Sequence, residues 1–232
     1  MRMPPLIIDE VILLIDTYYK ICATNDKALQ QFYREDLSAT LRSMPFFPEF
    51  RDNPTFRNVA GMTLLLMNID NVVTKKWPEN KTSKSKLNVI RRYQNDQINL
   101  HKIAQAIKYI SLSGVESAYD KVTNCDFMGG NLLLGYHRKI ETEIDLAVQI
   151  KKNSIDLSIS KCFICEDDLS FTYSSKAASL MELHFAASIE WYMEKKLPAT
   201  NQFILLCPNC HRFAHSDVDL LDETQLRHSI KL

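Results

Sequence analysis

Apolar residues recur every three to four positions through most of the first 111 residues, the spacing that puts one side of an α-helix into a core. Behind Pro4-Pro5, residues 6–22 carry Ile7, Ile8, Val11, Ile12, Leu14, Ile15, Tyr18, Tyr19 and Cys22 on such a stripe. They predict a core helix with Cys22 on its inner side. Asp26 is a candidate cap for a second helix bearing Leu29, Phe32 and Tyr33. The stripe continues through Leu37 and Leu41 until Pro45, whose ring and missing N–H end it. Residues 56–73 are apolar almost throughout and predict a mostly buried helix, and 97–111 predict another with Ile98, Ile103, Ile107 and Ile110 inward.

Gly129, Gly130 and Gly135 mark a boundary at about residues 125–136. Residues 137–152 then alternate basic and acidic positions around Ile140, Ile144, Leu146, Val148 and Ile150, as expected of a polar connecting helix. Beyond it the period changes. Residues 159–164, 180–185 and 203–206 read as short strands, 209–214 as a helix and 224–230 as a last short one. The expected chain is mainly α: a helical domain over 1–135, a connector over 136–158 and a small domain over 159–232.

With 232 residues, 46% of them hydrophobic and only five glycines, the chain can bury an ordinary core. No apolar run is long enough to cross a bilayer and the amino terminus lacks a secretory pattern, so a cytoplasmic protein with no membrane partner is expected. There thiols stay reduced, which favours metal over disulfide for paired cysteines. Isolated Cys22 and Cys125 read as core residues. A net charge of zero argues against a general polyanion binder, yet residues 74–92 concentrate Lys75, Lys76, Lys81, Lys84, Lys86, Arg91 and Arg92 against Glu79 alone. Read as a loop, that stretch suits either a phosphate backbone or plain solvation. From Lys161 onward seven Lys or Arg face ten Asp or Glu, so that part is no electrostatic anchor by itself.

The chemistry lies in two Cys-x2-Cys knuckles, Cys162-Phe-Ile-Cys165 and Cys207-Pro-Asn-Cys210. Four thiolates at this spacing suit one tetrahedral structural Zn²⁺. The second knuckle runs into His211, Arg212 and His215, and two histidines four apart share a helix face. His184 sits in the strand between the knuckles, so a second metal or phosphate site is expected where the three imidazoles meet. His101 and His228 have no companions at ligand spacing and read as surface residues.

Glu182-Leu-His184 followed by Leu206-Cys-Pro-Asn-Cys-His211-Arg212-x2-His215, with Cys162-x2-Cys165 ahead, resembles the HNH endonuclease family in its zinc-knuckle, restriction-type branch. The Thr55-Phe56-Arg57-Asn58, Gly61 and Asn68 segment and Tyr136-His137-Arg138 are similar to stretches in the helical leader of some of these enzymes. The resemblance implies a ββα-metal fold and metal-dependent cleavage of DNA, with His184 and His211 as ligands of a catalytic Mg²⁺, Mn²⁺, Ni²⁺ or Zn²⁺ ion. His215 is implied as a third ligand or phosphate contact, and Asn201 or Gln202 as the brace of the hairpin. It implies DNA as partner, in restriction or defence, with a homodimer or a defence-system protein as further partners. The family's general base would stand at Phe185, and a phenyl ring accepts no proton. Either His184 is the base, or the metal alone activates water, or catalysis is lost. Where the family often has Gly after the first knuckle, this chain has Glu166.

In the helical domain, Arg57 and Asn58 suit guanine and adenine edges, with Lys84, Lys86, Arg91, Arg92 and, in the tail, Arg212 as further nucleic-acid contacts. The preferred alternative for Arg57 and Asn58 is a helix entry capped by Asn58 with Arg57 paired to an acid. His137, Arg138 and Glu141 either touch the nuclease module or, the preferred reading, lie on a solvated helix face. The competing function is a non-catalytic zinc module that binds DNA or a partner protein.

Overall fold

The computed structural model describes residues 3–112, 132–194 and 196–230. Gly129, Gly130 and Cys125 lie outside them. Over the described residues the chain is mainly helical with one two-stranded sheet, and it divides into two compact units, Met1–Leu132 and Leu133–Leu232. Among the described residues no helix is long and apolar enough to cross a membrane.

The first unit is built on α1 (Ile8–Cys22), which packs against α2 (Lys27–Ser43), α3 (Val59–Val73), α4 (Lys84–Tyr93) and α5 (Gln97–Leu112). Its middle is enclosed all round, with Val11, Leu14 and Ile15 fully buried. Burial ends before the last turn, so Cys22 is exposed and not a core residue. Asp26 caps α2 by accepting from the N–H groups of Ala28 (2.8 Å) and Leu29 (3.3 Å). Met44 is extended ahead of Pro45, as the proline ring requires. On α3 only Met62, Leu66, Ile69 and Val72 are buried, while Leu64 and Met67 are about 60% exposed, so the expected mostly buried helix presents one face. On α5 the inward stripe is Leu100, Ile103, Ile107 and Ile110; Ile98 is 76% exposed. The basic stretch is not one loop. Ser83 caps α4, which carries Lys84, Lys86, Arg91 and Arg92.

In the second unit the expected single connector is two helices, α6 (Leu132–Glu143) and α7 (Asp145–Asp156), because Ile144 is extended between them. Gly135 sits inside α6. Residues 159–164 form no strand, only a bridge between Lys161 and Asp168. Strands β1 (Glu182–Phe185) and β2 (Phe203–Leu206) pair antiparallel, His184 opposite Ile204 and Phe185 opposite Phe203. Helix α8 (Pro208–Ala214) follows with Pro208 at its first position, where the absent N–H costs nothing. Asp222 caps α9 (Glu223–Ser229). Ile164, Met181, Ile204, Leu206, Ala214 and Leu226 gather with Cys162, Cys207 and Cys210 into a small core. A core this small gains from a metal staple.

Candidate metal centres

The four knuckle sulfurs converge, all within 4.8 Å of one another, with Cys165 Sγ and Cys207 Sγ 3.8 Å apart. A tetrahedron with Zn–S bonds of 2.3 Å has edges of about 3.8 Å, so these residues fit one zinc ion. Local structure sets each thiol. Cys207 is the N-cap of α8, and its sulfur accepts from Cys210 N–H at 3.5 Å. Glu166 closes the first knuckle in the left-handed conformation (φ 61°), a region that favours glycine, and its N–H reaches Cys162 carbonyl at 3.1 Å. Burial pushes the Cys165 thiol up to about 12 and that of Cys210 up as well. Burial acts in the same sense on Cys162, but backbone N–H groups outweigh it and lower its pKa. A bound cation stabilises all four as thiolates.

Beside this cluster stands a second one. His137 and Glu141 lie four apart on α6, His184 on β1, and His211 and His215 four apart on α8. Helix spacing stacks each pair on one face, and strand alternation turns Glu182 and His184 the same way. Nitrogen and carboxylate atoms of His137, Glu141, His184 and His215 all lie within 4.8 Å of one another. Glu141 is the hub: Oε1 is 2.7 Å from His137 Nε2, 2.8 Å from His184 Nδ1 and accepts from Phe185 N–H at 3.0 Å. Its Oε2 is 3.0 Å from His215 Nε2 and 3.4 Å from His211 Nε2. A tetrahedral ion with bonds of 2.0–2.1 Å requires ligand separations of about 3.3 Å, so these four groups fit one ion as well.

The electrostatics suit a ligand set. Burial pulls His137 down to about 4 and also lowers His215, keeping both imidazoles neutral near pH 7. Burial alone would raise Glu141, but its hydrogen bonds to His137, His184 and His211 hold it well below the ordinary carboxylate range. The buried Glu141 carboxylate therefore faces the neutral rings of His137 and His215. His137 is oriented by Tyr192, whose hydroxyl is 2.5 Å from Nδ1, and His184 by Leu221 carbonyl, 3.1 Å from Nε2. His215 Nδ1 is buried without a hydrogen-bond partner among the described residues.

His211 differs from the others. Its side chain is 19% exposed against 0–5% for the other three, and Nδ1 contacts the Glu182 carboxylate. Burial lowers its pKa, but Glu141 and Glu182 outweigh that and raise it. A cleft of about 610 Å³ opens here, with Glu141, Glu182, His211 and Lys151 in its wall.

His184, His211 and His215 thus come together with the cysteine cluster nearby, but His137 and Glu141 join them and are buried, not on a solvated face. The sequence signal was there. His137-x3-Glu141 has the same one-face spacing as His211-x3-His215, and it was obscured by the alternating charges of its helix. Asn201 is exposed in a turn before β2 and no contact joins it to either cluster among the described residues; Gln202 braces the hairpin instead, its carbonyl accepting from Ala186 N–H at 2.7 Å. Phe185 is fully buried against Trp191 and Phe203, with ring centroids 4.6 and 5.2 Å away, so its position is a packing one.

Arg57 is not on the surface. Its Nε and Nη2 donate to Glu10 at 2.6 and 2.8 Å, and Nη1 and Nη2 to the carbonyls of Pro4 and Pro5 at 3.1 and 3.0 Å. Asn58 caps α3 through Gly61 N–H at 2.8 Å. These two form the helix entry expected as the preferred alternative, capped by Asn58 and paired through Arg57, in place of base readers. Lys86 is half-buried, with burial and then Arg57 lowering its pKa. Lys84 and Arg92 are exposed, and exposed Arg91 pairs with Glu79. Arg212 is exposed next to His211, and His101 and His228 are exposed. No family model matches the chain, and no curated protein or solved structure matches it.

Proposed function

We propose that the second unit is an HNH-type nuclease that hydrolyses DNA phosphodiester bonds with a divalent ion, in restriction or defence. The observation that carries this reading is the convergence of Glu141, His184, His211 and His215 beside a four-cysteine cluster, at a cleft open to solvent. The cysteines would hold a structural zinc. His137, Glu141, His184 and His215 would hold the second ion, which when bound supplies Lewis-acid stabilisation of charge on the phosphate and the leaving oxygen. Three imidazoles favour Zn²⁺ or Ni²⁺ over Mn²⁺ and Mg²⁺, which prefer oxygen. His211 takes the role vacated at Phe185: Glu182 holds its Nδ1–H, and Nε2, at the cleft, accepts the proton of the attacking water. Arg212 and the exposed cations of α4 are candidates for backbone phosphates.

Depth favours a second reading. Side chains 0–5% exposed describe a closed ligand set as well as a catalytic one, and a second structural metal in a DNA- or protein-binding module would use them. Plasmid DNA incubated with the protein and Mn²⁺, Ni²⁺ or Mg²⁺ separates the two. Metal-dependent nicking that His211→Ala abolishes, with two metals still bound per chain, supports the nuclease. Two metals and no nicking by the natural chain under any of these ions supports the module.

A further inference from the structure

We propose that Lys151 is the anion receptor of the cleft beside the histidine cluster and holds a phosphate group of the substrate, an inference that rests on the nuclease reading. Lys151 stands on α7 with its Nζ buried and without a hydrogen-bond partner among the described residues. Burying an ammonium is strongly unfavourable unless it is paired, so an unpartnered one signals a missing counter-charge. Glu182, the acid within electrostatic range, spends its carboxylate on His211. No ion pair joins it to Lys151 among the described residues.

The same cleft carries Glu141 and His211 in its wall, so an anion drawn to Lys151 arrives where the histidine cluster meets solvent. The rest of the wall is mostly apolar. Val148, 54% exposed, and Leu180, 37% exposed, offer a surface on which a sugar or base rests while its phosphate is held. The chemistry therefore fits a nucleotide unit: one oxyanion against the ammonium, and an apolar-faced ring system beside it. Lys151 is a positioning residue, since it binds the substrate and takes no part in proton transfer.

Two opposed effects make the proposal testable in the full-length, metal-loaded protein, with thymidine 5′-monophosphate as the probe. Replacing Lys151 by Met removes a buried unpaired charge, so Tm should rise by about 2–4 °C. It also removes a charge-assisted contact, so affinity for the nucleotide should fall about tenfold or more. Lys151→Arg should bind within about threefold of the natural protein. A lower Tm for Lys151→Met would mean that the ammonium has a structural partner and would overturn the proposal, as would unchanged nucleotide affinity or no binding by the natural protein at millimolar probe. Plasmid nicking is measured separately. Nicking with a Lys151-independent nucleotide affinity sinks this inference alone, whereas Lys151-dependent binding without nicking sinks the nuclease reading alone.

Discussion

Replacing Arg57 by Ala tests whether the first unit uses this residue as a joint or as a reader of DNA. Arg57 and Glu10 form a pair whose side chains are 6% and 1% exposed, joined by two hydrogen bonds of 2.6 and 2.8 Å. The guanidinium also caps the carbonyls of Pro4 and Pro5 and lies 4.9 Å over the Phe56 ring. Truncation leaves the Glu10 carboxylate buried with, among the described residues, only Ile7 N–H, 3.0 Å away, to stabilise it. Breaking one side of such a pair costs about 3–5 kcal/mol, a large share of the roughly 5–15 kcal/mol that holds a domain together. Since 1.4 kcal/mol is tenfold, amide hydrogen-exchange protection in α1 should fall by about 10² to 10⁴. Arg57→Met with Glu10→Leu, which removes both charges and keeps the volume, should recover most of the loss. Less than tenfold change in α1 protection, with altered base preference in a DNA-binding assay, would refute the reasoning and return Arg57 to the recognition surface.

Two further predictions follow from other buried groups. Cys207→Ser should lose one zinc per chain by metal analysis and the near-UV circular dichroism of Trp191 and Tyr192, because zinc adds about 10–16 kcal/mol of apparent folding free energy to units of this kind; a variant that stays folded without that zinc would remove its structural role. Asp9 is fully buried, and burial pushes its carboxyl up to about 8, with Leu132 N–H opposing and Glu10 adding. The folded state then keeps a proton that the unfolded state gives up above about pH 4, so this group's contribution to stability is complete at or below pH 4 and is lost as pH rises to about 8. The slope is at most about 1.4 kcal/mol per pH unit. Urea midpoints across that window should fall with pH in the natural chain and level off in Asp9→Asn; parallel profiles would exclude Asp9 as the cause.

The features legible in the sequence are those whose signal is local. Asp26 and the apolar stripe of α1 announce their helices, the cysteine spacing announces the first cluster, and Phe203–Leu206 is a strand because four apolar residues sit between two turns. What escaped is set by partners distant in sequence. His137 and Glu141 sit among Arg138, Lys139 and Glu143, and only the approach of β1 and α8 makes that side of the helix an interior. For Arg57 the pairing with an acid was legible, but not the partner, since Glu10 lies 47 residues earlier. Ile98 and Cys22 fit a helical stripe but lie at helix ends, where no neighbour covers them.

The order in which a ribosome delivers the chain has a consequence for the histidine cluster. His137 and Glu141 are made first, His184 comes 47 residues after His137, and His211 comes 70 residues after Glu141. Until α8 has emerged, Glu141 lacks two of the four imidazoles that surround it. The set of His137, Glu141, His184 and His215 is therefore complete only after α8 has been made, and the order of translation delays any ion that needs all four groups.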